Sequence, residues 1–147
     1  ILRPNSADRA VAYQIWVELS TRKLGLSIDL EHDVISEVYD SWYNYFSVTR
    51  DLIKSIPISQ INRDSTKKII YLSIDILNEA LRPHLTKWQA RYRSWYQRQV
   101  ASAGYFYPQE IQAKYPHYRE LSLDIQAVNA KLIAYRREMK RLIEEKY

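Results

Sequence analysis

The chain is expected to be all-α, an elongated bundle of about four long helices in which the third is kinked at Pro83. Three observations carry that expectation. Apolar residues recur at alternating three- and four-residue steps through most of the sequence, the spacing that puts them on one side of a helix. Only two glycines, Gly25 and Gly104, occur in 147 residues, too few for a fold built from tight hairpins. The places where the periodicity fails are short and contain proline.

The first helix is expected from Ser6, an N-cap residue type, with Asp8 in the first turn against the positive end of the helix dipole. Val11, Ala12, Ile15, Trp16 and Leu19 form its apolar face, Arg22 and Lys23 its last turn, and Gly25 its C′ residue. The second helix, from about Asp33, carries the ladder Ile35, Val38, Trp42, Tyr45, Thr49, Leu52 and Ile56, widened by Phe46 and Ile53 and closed by Pro57. The third is expected from Asp64 or Ser65 along Ile70, Ile74, Leu77, Leu81, Leu85, Trp88, Tyr92 and Trp95. Pro83 removes a hydrogen bond inside it, and because the stripe continues in phase on both sides, a kink is expected there in place of a break. Gly104 to Tyr118 reads as an aromatic connection with one helical turn starting at Pro108. The last helix carries Leu121, Ile125, Val128, Leu132, Tyr135, Met139 and Leu142, with Arg136, Arg137, Lys140, Arg141, Glu144 and Glu145 beside that seam.

A chain of 147 residues has room for one domain over residues 1–147, burying roughly 70% of its unfolded surface without staples. It opens on Ile1 and not on Met, so a longer polypeptide is expected, with room upstream for a membrane tether or another domain. No apolar run reaches the roughly 20 residues of a membrane-spanning helix. The absence of cysteine removes disulfides and thiolate metal sites and points to a reducing compartment, the cytoplasm.

Catalytic patterns are sparse. Gly25 and Gly104 are too far apart for a phosphate-binding glycine loop or a nucleophile elbow. His32, His84 and His117 include no pair on one helical face and no Glu-x-x-His motif of the kind that builds di-iron bundles. None has an arginine four to six residues upstream, the spacing of helical-bundle ribonucleases. Glu31, His32, Asp33 and Glu37 cluster at the start of the second helix, where acids complementing the dipole are the simpler account than a metal. No enzyme, cofactor or metal is therefore expected.

One stretch stands out. Between Glu79 and Glu110 there is no acidic residue, while Arg82, Lys87, Arg91, Arg93 and Arg98 fall there and equal the chain's whole formal charge of +5. On a helix Lys87, Arg91 and Arg98 line one stripe and Trp88, Tyr92 and Trp95 the next, about 100° around. Guanidinium forks beside aromatic rings are how proteins hold single strands or nucleotides. Equally, the rings can be core and the basic stems a cover for it.

Two functional readings compete. The leading one is a non-enzymatic interaction or assembly domain with a basic-aromatic face on the third helix, partnered by another protein or by itself. Its motive is the supply of thirteen tyrosines and four tryptophans, more than such a bundle can bury. The other is an anion-binding domain for single-stranded nucleic acid or a nucleotide, with a hypothetical site of Arg82, His84, Lys87, Arg91 and Arg98.

Overall fold

The computed structural model describes residues 4–102, 104 and 106–144, and contains helices and no strand among them. The expected Glu145 and Tyr105 positions lie outside the described residues. The long elements are α1 (Ser6–Ser20), α2 (Ile35–Lys54), α3 (Asp64–Asp75), α4 (Arg82–Ser102) and α6 (Tyr118–Glu144), with a short α5 (Pro108–Gln112) before the last. A π-helical turn, Ile76–Leu81, joins α3 to α4 in one continuous helix, so four long rods make the bundle. None of them is long and apolar enough to cross a membrane.

Both heptad ladders face inward. Every rung of the α6 ladder from Leu121 to Leu142 is buried, as are Ile35, Val38, Trp42, Tyr45 and Thr49 of α2, while Leu52 and Ile56 at its end are half-buried. At 27 residues α6 runs about 40 Å, and α1 packs along it more extensively than any other pair of elements.

The irregularity expected at Pro83 takes the form of the π turn just before it. The Arg82 amide reaches back five residues to the Leu77 carbonyl. A proline ring collides with the carbonyl four residues earlier in a regular α-helix, and a widened turn gives that carbonyl room. The helix therefore passes Pro83 unbroken.

Four local expectations need correction. The N-cap of α1 is Asn5, and Ser6 is already helical: Asn5 and Asp8 bond reciprocally as a capping box. Helix α1 stops at Ser20, so Arg22 and Lys23 lie beyond its last turn. Gly25 is required for closeness and not for a left-handed backbone. Its amide donates to the Leu19 carbonyl at 3.0 Å, and a Cβ there would lie 2.7 Å from that oxygen and 3.2 Å from Arg136 Cβ. On α3 the inward face is Thr66, Ile69 and Ser73, leaving Ile70 half-buried and Ile74 41% exposed. Polar residues hold core positions there because partners meet them: the Ser73 and Tyr135 hydroxyls pair at 2.5 Å, and Ser73 also donates to the Ile69 carbonyl.

Three buried polar side chains pin the connections. Asp8, 1% exposed, accepts from the Ser65 hydroxyl at 2.7 Å and the Thr66 hydroxyl at 2.6 Å, which fastens the start of α1 to the start of α3. Gln112 accepts the Ile35 amide at 2.9 Å and donates to the Asp33 carbonyl, capping α2 where Val34 offers no side-chain cap. Asn129 donates to the carbonyls of Leu24 and Leu26 and accepts from the Ile28 amide, which holds the α1–α2 connection against α6.

Candidate functional site

The α4 residues proposed from sequence do not form one cluster. Arg82, Lys87, Arg91 and Arg98 are exposed and, with Arg93, have no acidic partner among the described residues. Lys87 lies over the Trp88 ring at 4.9 Å from Nζ to the centroid, a cation–π contact in which the stem covers the core. Of the aromatic stripe, Trp88 and Tyr92 are buried and Trp95 is half-buried, tilted against the Tyr92 ring and edge-on to that of Tyr115.

His84 leaves the set, because it points inward. Its side chain has no exposed surface, its Nδ1 lies 2.7 Å from Asp124 Oδ2, and its Nε2 lies 2.8 Å from the Tyr39 hydroxyl. The indole of Trp88 donates to the same Asp124 oxygen at 3.1 Å. Burial lowers the His84 pKa below the usual histidine value despite Asp124, and burial raises that of Tyr39. The hydrogen bonds then have one consistent direction: the neutral imidazole donates from Nδ1 to Asp124 and accepts at Nε2 from the Tyr39 phenol. This Tyr-His-Asp chain has the form of a proton relay, but its tyrosine and its histidine are both buried. What it does in the fold is join α2, α4 and α6.

The structure adds something that charges along one helix could not reveal, a groove between α2 and α4 made of adjoining hollows. One, of about 300 Å³, is lined by Tyr43, Phe46 and Arg50 of α2 and by Arg82, Thr86 and Gln89 of α4. It shares Tyr43 and Gln89 with a neighbour of about 520 Å³ that extends to Asp40, Asn44, Ser47 and Arg93. Arg82 lies over the Phe46 ring, 5.1 Å from Cζ to the centroid, and its Nε donates to Asn78. Arg50 Nε donates to the Phe46 carbonyl at 3.2 Å. Sequence reading missed Tyr43 and Arg50 because they belong to another helix, and only the packing of α2 on α4 makes them neighbours of Arg82.

Two further surfaces bear on function. Asp29, Glu31 and His32 bring one ligand atom each within 4.8 Å of one another, all exposed. The His32–Asp29 hydrogen bond and the Asp29 turn account for that geometry, and Glu37 takes no part in it. Elsewhere, the corrected phase of α3 leaves Tyr71 61% and Ile74 41% exposed beside half-buried Ile70, and the segment before α3 leaves Ile58 82% and Ile61 39% exposed. A hollow of about 270 Å³ opens among Ile61, Asn62, Lys67, Ile70 and Tyr71.

Compared with protein-family models, curated proteins and solved structures, the chain matches none at a significant level.

Proposed function

We propose that the chain is a non-enzymatic helical assembly domain, working in the cytoplasm, that pairs with a second copy of itself through the outer face of α3. The observation that carries the reading is the apolar surface of exposed Ile61, Tyr71 and Ile74 with half-buried Ile70, three of which line one hollow, since contiguous apolar surface rimmed by polar groups is what protein interfaces present. The absence of catalytic spacings supports the non-enzymatic part, and the lack of cysteine supports the compartment.

Charge favours a second copy over a different partner. Lys67 and Asp75 stand one helical turn either side of Tyr71 on the same face, Asp75 exposed and Lys67 half-buried. A two-fold axis at Tyr71 runs the two α3 helices antiparallel and sets Lys67 of each copy beside Asp75 of the other, the self-complementarity that an isologous interface requires. Tyr71 then sits at the centre, where a large, stiff side chain contributes most.

Sedimentation velocity over a wide range of concentration tests this. The native chain should pass from monomer to dimer and should still do so in high salt, because the contact is mainly apolar. Tyr71→Glu with Ile74→Glu should give a folded monomer. A native chain that stays monomeric throughout, or a double variant that dimerises as well as the native chain, would overturn the proposal.

A further inference from the structure

The α2–α4 groove has the chemistry of a nucleotide site, and the geometry points to a nucleotide bound with its phosphates between Arg50 and Arg82 and its base against Tyr43. This inference rests on a different face from the α3 contact and does not depend on it.

The phosphate end comes first. Arg50 and Arg82 line the same 300 Å³ hollow, whose lining includes no carboxylate. Each guanidinium donates from Nε, Arg50 to the Phe46 carbonyl and Arg82 to the Asn78 side chain, which leaves its terminal N–H groups directed away from that bond. No described residue occupies the remaining N–H groups with an ion pair or hydrogen bond. Two oriented forks with free terminal N–H groups suit a phosphate, whose oxygens accept in pairs, better than they suit a single carboxylate. Thr86 and Gln89 add neutral hydrogen-bonding groups to the same wall.

The other end rules in something more than inorganic phosphate. Tyr43 is 66% exposed and lines both hollows, so a planar group can lie on its ring. Beyond it the groove changes character, with Asp40, Asn44 and Ser47 able to bond amino and hydroxyl groups. A ligand anionic at one end and carrying, at the other, a flat ring system with amino and hydroxyl groups around it is a nucleotide. The two hollows, about 300 and 520 Å³, lie within the usual range of small-molecule sites.

Titration calorimetry at low salt on the native chain decides the matter, with ATP, inorganic triphosphate, adenosine and an oligoadenylate as probes. ATP should bind one to one and be displaced by triphosphate, whereas adenosine should bind far more weakly. Arg50→Gln and Arg82→Gln should each weaken ATP about tenfold. Tyr43→Ala should weaken ATP and leave triphosphate unchanged. Arg98→Gln, farther along α4, should change nothing. All four positions are exposed, and far-ultraviolet circular dichroism confirms that the variants fold. Failure of ATP and triphosphate to bind the native chain would overturn the inference without touching the α3 interface. So would equal weakening by Arg98→Gln, or oligoadenylate binding that grows with length and ignores Tyr43→Ala, which would make the face a general binder of phosphate backbones.

Discussion

Replacing Asp8 by Ala is the severest single test of how the bundle is tied together. The carboxylate is 1% exposed and accepts the Ser65 hydroxyl at 2.7 Å, the Thr66 hydroxyl at 2.6 Å and the Asn5 amide at 3.2 Å. Arg63 Nε stands 3.9 Å away, close enough to balance the buried charge. Hydrogen bonds to a charged acceptor contribute about 1.5–3 kcal/mol each, so the two hydroxyl contacts together hold about 3–6 kcal/mol. Alanine removes them but keeps the Asp8 amide's bond to Asn5 Oδ1, and it also relieves the cost of burying a charge. The freed hydroxyls can turn to nearby carbonyls, which returns a further part. The net loss should be about 3 kcal/mol, a fall in Tm of roughly 6–12 °C at this chain length. Asp8→Asn keeps the shape without the charge and should cost about half as much. Thermal and urea unfolding followed by circular dichroism measure both, and Thr66→Ala should cost much less in the Asp8→Ala background than in the native one. An Asp8→Ala loss below about 1 kcal/mol, with additive effects at Thr66, would refute the claim that this contact fastens α1 to α3.

Two other perturbations follow from single contacts. Because burial lowers the His84 pKa, the folded chain refuses a proton that the unfolded chain takes up near pH 6.5, so the stability from this group is complete above that value and declines as pH falls below it. Exposed His32, whose pKa Asp29 raises, acts in the opposite direction, so the contribution of His84 is read as the difference between native and His84→Gln unfolding at pH 7.5 and 5.5; a difference that does not change with pH would contradict the buried, neutral imidazole. Gly25→Ala should destabilise by about 1–3 kcal/mol, since its Cβ would meet the Leu19 carbonyl at 2.7 Å and that oxygen belongs to a packed helix end; an unfolding midpoint equal to the native one would show that the connection yields.

Much of the architecture was legible because α2 and α6 follow the simplest rule, apolar residues at helical spacing facing a core. That rule misplaces α3, where it favours Ile74 over Ser73. Three or four residues before Leu77, either lies on an inward course, and hydrophobicity alone selects Ile74. The burial of Ser73 depends on the Tyr135 hydroxyl, 62 residues away, which no local pattern carries. The tying role of Asp8, which reads locally as a first-turn acid, and the roles of Gln112 and Asn129 are hidden for the same reason: each is an ordinary polar residue until the fold supplies its distant partners. The lack of acidic residues along the basic stretch of α4 is plain in the sequence, but sequence proximity groups His84 with those basic residues although its side chain is buried. The groove required Tyr43 and Arg50, and α2 reads on its own as nothing more than a core helix.

In the proposed dimer the outer face of α3 meets its own copy about Tyr71, and the lack of native cysteine makes a direct measurement of that pairing available. Tyr71→Cys and, as a control on the α2–α4 groove, Tyr43→Cys are oxidised at a protein concentration at which the native chain dimerises and run on a non-reducing gel. On this pairing Tyr71→Cys should become a disulfide-linked dimer rapidly and Tyr43→Cys should remain monomeric. Equal, slow cross-linking at both positions, or none at Tyr71, would contradict it.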